Sequence, residues 1–376
     1  MMFVATDDWL FAARHLTLVR AARELGLDPV VVARDHGHRH AIEGAGARFV
    51  ALDWPRQGRS PAALWHQVEA LKRIILSRRP PIVQFQGLRA AVSGLAAARL
   101  AGVPRVVAAF SGIGHAAVRA GLAGDIMRTM LRAAAAIALK GGAVHAVFDN
   151  PDDPRLLGLD PASSGHVHVM PGQGVDPLVH MPEAMPWAPP LKLVFGSPLL
   201  WANGPDLAVE ATRKARAEGA DVTLSLIGAA HAPGRHAVPA GKLDAWSRLP
   251  GVSWFGPTPD IGQVWRQHHA LMLPSRGGDG LPPILAQAAS AARPAITSDA
   301  GGCGSFVRDG IDGRVVPTGN VAGLTEAIML MARAPGLVER MGRAGREKVL
   351  EGYTERKVME GFKVLWRQML SVDSAA

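Results

Sequence analysis

The chain has 376 residues, room for two domains with a core each, and its 48% apolar and 19% charged residues describe a folded protein, not a disordered one. Its single cysteine, Cys303, excludes an internal disulfide framework and a cysteine-built zinc site. The formal charge of +9 sits wholly in residues 1–150, with 19 Lys/Arg against 10 Asp/Glu, while residues 151–376 hold 22 of each. Such a basic first half predicts an anionic partner, either a membrane surface or a pyrophosphate-bearing acceptor. Nucleic acid is set aside, because only 5% of residues are aromatic and no binding module is visible.

Met2 to Thr6 reads as a first strand, and MMFVATDDW lacks the basic region of a signal peptide. Leu18, Ala21, Ala22 and Leu25 carry helical spacing up to a terminating Gly26. Pro29 to Ala33 and Arg48 to Leu52 are further strands, with a short helix around Ile42 between them. Pro61 to Arg79 is a helix with Leu64, Val68, Leu71 and Ile75 on one side. Lys72, Arg73, Arg78 and Arg79 crowd its carboxyl end, either complementing the helix dipole or meeting a membrane. Ile82 to Phe85, Arg105 to Phe110, Ala143 to Asn150 and His166 to Met170 are strands, separated by helices at Val92 to Ala101 and Leu122 to Leu139. Strands alternating with helices predict a parallel sheet covered on both faces. No apolar run is long enough to cross a bilayer; Ala133 to Leu139 stops at Lys140. A cytoplasmic protein, peripheral at the inner membrane face, is expected.

The proline-rich run Met181 to Pro190 reads as a linker. A second strand–helix series follows from Leu191, giving expected domains at 1–180 and 191–354, with a last helix at 355–376 packing back on the first. Within the second series, Ala270 to Leu273 reads as a buried strand. It leads to the glycine turn Gly277-Gly278-Asp279-Gly280, a helix from Pro282-Pro283, the strand Pro294 to Thr297, and a further glycine turn at Gly301-Gly302. Free backbone N–H groups at such turns and helix starts suit a diphosphate.

The stretch Pro274 to Gly313 resembles the donor-binding signature of the retaining family-4 (group 1) glycosyltransferases. Pro274-Ser275, Gly280-Leu281-Pro282, Leu285, Ala288, Arg293-Pro294, Asp299, Gly302-Cys303, Val307, Asp309-Gly310 and Gly313 carry the likeness. It implies the GT-B fold: α/β, with two Rossmann-like doubly wound parallel-sheet domains facing across a cleft. It also implies transfer of a hexose-type sugar from a nucleotide diphosphate sugar to a glycan or lipid-linked acceptor, with retention and without a metal or cofactor. The products would be surface polysaccharide or lipopolysaccharide. On this likeness the donor-side residues are Gly196, Ser197, Asn203, Gly228, Arg276, Gly280, Leu281, Pro282, Gln287, Gly301 and Gly302. Asp279 matches the first signature glutamate and would meet the sugar hydroxyls; it would serve equally as an N-cap. Gln287 matches the second, which holds the ribose. His15 and His115 are the further catalytic candidates, and Asp8, Arg14, Arg89 and Gly112 the acceptor-side ones.

The chain departs from the family pattern where charge is expected. Pro198 stands in place of arginine, Asn203 of lysine and Gln287 of glutamate, and Gly304-Ser305 follows Gly302-Cys303 where Arg-Glu is common. Arg276 is the nearby cation, either a substitute clamp or a solvated loop residue. Two readings therefore stand: an active glycosyltransferase, or a catalytically impaired protein of the same fold that binds sugar nucleotide or glycan or supports a partner transferase. A nucleotide-sugar epimerase would need the same clamp.

Overall fold

β1 (Met2–Asp7) sets the pattern of the first half. Met2, Phe3 and Val4 are all buried, because helices cover both faces of the sheet and leave no polar side for alternation. It is followed by β2 (Val30–Arg34), β3 (Arg48–Ala51), β4 (Val83–Gln86), β5 (Val106–Phe110), β6 (Val144–Phe148) and β7 (Val167–Val169). These pair in parallel in the order β3-β2-β1-β4-β5-β6-β7. The structure is a computed structural model that describes residues 1–53, 60–113, 121–140, 142–186, 188–229, 236–258, 260–278 and 280–371.

One face of this sheet carries α1 (Asp8–Arg14), α2 (Leu16–Glu24) and α3 (Arg39–Gly44), and the other α4 (Pro61–Arg78), α5 (Leu88–Leu100) and α6 (Leu122–Leu139). α4 starts cleanly: Ser60 Oγ accepts from Ala63 N at 3.2 Å and Pro61 fills the first turn, where no N–H is needed. A short α7 (Asp152–Leu156) follows β6.

The second sheet holds β8 (Leu191–Gly196), β9 (Val222–Ile227), β10 (Val252–Trp254), β11 (Ala270–Leu273), β12 (Ala295–Ser298) and β13 (Gly313–Val316). All its pairings are parallel, in the order β10-β9-β8-β11-β12-β13. Around it lie α8 (Pro205–Ala217), α9 (Ala240–Ser247), α10 (Ile261–Gln267), α11 (Pro283–Ser290), α12 (Gly301–Phe306), α13 (Val321–Arg333) and α14 (Pro335–Lys348). Strand order reverses at β1/β4 in the first sheet and at β8/β11 in the second. In open α/β sheets ligands bind beyond the carboxyl ends of strands at such reversals.

The chain divides into one unit of residues 1–173 with 355–376 and another of 174–354. The closing helix α15 (Glu355–Ser371) packs on α2: Val358, Phe362, Leu365 and Trp366 join Phe3, Phe11 and Leu18 in one buried cluster. Trp366 Nε1 donates to Gln84 Oε1 at 3.0 Å, and Lys363 pairs with Glu24 at 2.7 Å.

The run Met181 to Pro190, expected to link the domains, lies within the second unit. Its carbonyls are captured there. Buried Arg293 donates to Glu183 O and Ala184 O, and His269 Nε2 donates to Pro186 O at 2.9 Å. Upstream, Ser290 Oγ donates to His180 O at 3.0 Å. A buried guanidinium needs acceptors for its N–H groups; this segment supplies two, and the carbonyls of Trp265, His268 and Ala291 supply the rest.

Candidate active site

The carboxyl edge of the second sheet is built from glycines that let backbones touch. At Gly302 in α12, a Cβ would lie 2.2 Å from Gly280 O and 2.8 Å from Leu281 N. The turn after β11 and the start of the helix after β12 are therefore in direct contact. At Gly204 a Cβ would lie 2.1 Å from Pro274 O, which packs the turn after β8 onto the exit of β11. At Gly228, beyond β9, a Cβ would lie 2.9 Å from Ser197 O, and at Gly196 one would lie 3.3 Å from the Ile284 side chain. Five segments thus converge on one edge. Buried hydroxyls pin them: Ser298 Oγ donates to Ser275 O, Thr297 Oγ1 donates to Leu273 O at 2.7 Å, and Ser275 Oγ accepts from Gly277 N at 3.0 Å. Across β12 and β13, Asp299 accepts from Thr318 N and Oγ1.

The polar side chains at this edge are already engaged. Asn203 is buried, and its Nδ2 donates to Ser197 Oγ at 3.1 Å and Pro198 O at 2.8 Å, closing the loop between β8 and α8. Arg276 is not a solvated loop residue. Its guanidinium makes a two-pronged pair with Asp206 at 2.9 and 2.7 Å and also donates to Trp201 O. Gly228 N donates to Gly256 O. Pro198 is exposed and Gln287 half-buried, midway along α11. Asp279 lies outside the described residues.

The first sheet has a pocket of about 20 Å3 at its own carboxyl edge, room for one water. Arg14 and His15 enter it from the junction of α1 and α2, Gln86 from the end of β4, Ser111 from beyond β5 and Asp149 from beyond β6. Burial pushes the Asp149 carboxyl up to about 7, and nearby Asp153 adds to this. The Ser111 hydrogen bond and the Arg14 cation oppose it. Burial, with Arg14 beside it, takes the His15 imidazole down to about 3, so it is neutral at pH 7. Gln86 Nε2 is buried without a protein partner. An amide donor, a neutral imidazole, a cation and a carboxyl poised near neutrality can together orient a hydroxyl and take its proton.

Two family models match the chain. "Glycosyl transferase 4-like domain" takes in residues 12–148, and "Glycosyl transferases group 1" residues 190–333, which includes the whole glycine-lined edge. The chain belongs to the group 1 glycosyltransferases of the GT-B fold. An exopolysaccharide phosphotransferase of Streptomyces coelicolor is 33% identical over 104 residues, 27% of this chain and 11% of that protein. A phosphatidyl-myo-inositol mannosyltransferase of Mycobacterium leprae is 31% identical over 100 residues, 26% of this chain and 27% of that one. The matched stretches thus span only a minor part of either relative. Anabaena HepE, solved with UDP and glucose, superposes with a TM-score of 0.74 at 14% identity over 99% of both chains. At that identity the likeness establishes the fold.

In this glycosyltransferase the expected donor residues Gly196, Ser197, Asn203, Gly228, Gly280, Leu281, Gly301 and Gly302 lie on one edge, with Pro282 capping α11. On the other unit, Arg14 and His15 line the pocket and Gly112 lies beside Ser111 in left-handed backbone, φ 98°. His115 lies outside the described residues. Arg89 is exposed in the first turn of α5. Asp8 is fully buried and committed to the fold: its Oδ2 accepts from His36 N at 2.9 Å and His38 N at 2.8 Å. Burial alone would raise its pKa, but those backbone donors with that of Trp9 hold it below the usual range. Gln84 lies buried against Trp366, and β4 presents Gln86 to the pocket. Asp149 was missed. Its sequence signal is a carboxylate at the end of the apolar run Ala143 to Asn150.

Asp149 yields a pH prediction. Its carboxyl ionises near 3.8 in the unfolded chain and at about 7 in the folded one. The folded state holds the extra proton between these values, so this group lowers stability as pH rises through them, and the loss is complete above 7. Asp149→Asn should therefore be more stable than the natural protein by about 2–4 kcal/mol at pH 8, with the difference vanishing towards pH 4. His15 works in the opposite sense, losing stability as pH falls from 6.5, but it is present in both proteins and cancels in the comparison. Thermal melting at the two pH values reads the difference; equal gaps at both would show that the carboxyl ionises normally.

Proposed function

We propose that this glycosyltransferase moves a hexose-type sugar from a nucleotide diphosphate sugar to a glycan or lipid-linked acceptor in surface polysaccharide or lipopolysaccharide synthesis. The contact of Gly302 with Gly280-Leu281 carries the reading, because it brings two glycine segments together where a diphosphate would meet backbone N–H groups. The UDP held by Anabaena HepE and the mannosyl transfer of the mycobacterial relative support the donor class. In this proposal Asp279 meets the sugar hydroxyls. The bond from the anomeric carbon to the diphosphate oxygen breaks, the acceptor oxygen bonds to that carbon with retention, and the acceptor proton passes to the leaving diphosphate. The diphosphate charge is met by backbone dipoles without a metal. The residues at 1–173 serve the acceptor, and this basic unit meets an anionic membrane peripherally.

A second reading is favoured by the engaged side chains. Pro198 offers no donor, the Asn203 amide is used by its own loop, and Arg276 is neutralised by Asp206. A copy so equipped could bind sugar nucleotide without turning it over. Incubation with labelled UDP- and GDP-sugars and bacterial membrane extract separates the two. Transfer that falls at least about a hundredfold in Asp279→Asn supports catalysis. Binding without transfer or donor hydrolysis supports the second reading. Pro198→Arg should strengthen nucleotide binding about tenfold or more, since a charge-assisted hydrogen bond contributes about 1.5–3 kcal/mol. Asn203→Lys would not, because it removes the amide that closes the loop.

A further inference from the structure

α6 is a helix with almost nothing buried. Among its 18 residues Gly124 alone is fully buried, although the sequence is LAGDIMRTMLRAAAAIAL. Leu131 and Leu139 pack inward beside Ala146 and Phe148. On the opposite side, Leu122 is 76% exposed, Ile126 52%, Met130 64% and Ile137 74%. Their spacing of four, four and seven places them in one stripe along the helix. A soluble helix normally turns such a stripe to the core; here the core side is already filled.

The neighbouring helices carry the same character. Alternation along the strands shows that α4, α5 and α6 form one layer. Val4, Val106 and Ala108 face α4 and α5, Ala146 and Phe148 face α6, and Phe110 touches both clusters. The intervening Phe3, Val107 and Val147 face the other side. On the outer surface of this layer Trp65, Leu76, Val92 and Leu100 are also exposed. Arg73, Arg78, Arg79, Arg89 and Arg99 are exposed among them. Residues 61–140 hold eleven Lys/Arg and two Asp/Glu, so the whole net charge of +9 falls on this stretch.

We infer that the outer surface of the α4–α6 layer lies on an anionic lipid bilayer, with the Leu122–Ile137 stripe of α6 seated in the headgroup region. The inference rests on the peripheral membrane contact proposed above and names the surface that makes it. An interfacial helix lies flat with apolar residues inward and cations around them, and long basic side chains bury their stems while keeping the charge in water. Interfaces between proteins have cores depleted of charge, which this field of arginines does not match. Anionic lipid attracts each nearby Lys or Arg, and the attraction is screened by salt. Among the described residues no single helix is long and apolar enough to cross the membrane, so the contact is one of lying on it.

The test uses the full chain in co-sedimentation with vesicles of phosphatidylcholine alone and of phosphatidylcholine mixed with phosphatidylglycerol. The expected result is partitioning to the mixed vesicles only, weakening as salt rises. The double substitution Ile126→Asp with Met130→Asp changes exposed positions, so the fold should be kept, and it should cut partitioning about tenfold or more. Binding to mixed vesicles that the double variant retains overturns this surface while leaving the peripheral contact standing. No vesicle binding, or equal binding to both vesicle types, overturns the surface and the contact together. A dimer that the double variant splits, without lipid binding, overturns the inference by assigning the face to a second copy. Nucleotide binding measured in the same samples keeps each of these failures separate from the transferase reading.

Discussion

Gly302→Ala should abolish nucleotide binding and destabilise residues 174–354 by about 2–4 kcal/mol. The added methyl carbon would sit 2.2 Å from Gly280 O and 2.6 Å from Gly280 C. Both are backbone atoms, so no side chain can rotate aside; either α12 or the turn before α11 has to move. That turn holds the N–H groups assigned to the diphosphate, so the same displacement that costs stability also opens the anion site. Gly241→Ala is the control. Its Cβ meets nothing within 4 Å and it lies exposed in α9, where alanine favours the helix. Calorimetric titration and chemical denaturation should show the control unchanged or slightly stabilised. Normal nucleotide affinity in Gly302→Ala would remove the diphosphate from this edge.

Trp366→Ala should lower the stability of the other unit by about 3–5 kcal/mol. The indole is fully buried, stacked edge-on to Phe3 with ring centres 5.9 Å apart and 5.5 Å from Phe362. Its N–H is the partner of Gln84 Oε1, and Gln84 Nε2 already has no partner. Truncation therefore leaves both a cavity and an amide with no hydrogen bond at all. Trp366→Phe keeps most of the ring and should cost about 1–2 kcal/mol, chiefly the orphaned carbonyl. If both substitutions cost the same small amount, α15 does not anchor the β1–β4 core as described.

Much of the fold was legible because parallel strands buried on both faces write themselves as plain apolar runs, as in Val30 to Ala33 or Ala270 to Leu273. The glycine-lined edge was legible for a related reason: only glycine permits the backbone contacts at 204, 228 and 302, so its spacing is itself structural information. What stayed hidden depends on partners far away in sequence. Arg276 looks like a free cation until Asp206, 70 residues earlier, is seen to hold it. Met181 to Pro190 looks like a linker until Arg293 is found beneath its carbonyls. Asp8 offered a carboxylate beside the first strand, yet two backbone amides after β2 consume it. Asp149 was hidden for the opposite reason, since its raised pKa comes from enclosure and not from any local motif. α1 was missed because Asp8 to Arg14 is short and follows β1 without a break.

Titration of UDP and GDP into the full chain by calorimetry tests the central claim most directly. Backbone contacts without the family's arginine and lysine should give a single site for one of them, weaker by at least about tenfold for each charge-assisted bond that is missing. That places the dissociation constant at tens of micromolar or above, and Gly302→Ala should remove the binding. A correctly folded protein that takes up neither nucleotide at millimolar concentration, or whose nucleotide binding survives Gly302→Ala unchanged, would contradict the assignment of this edge as the donor site.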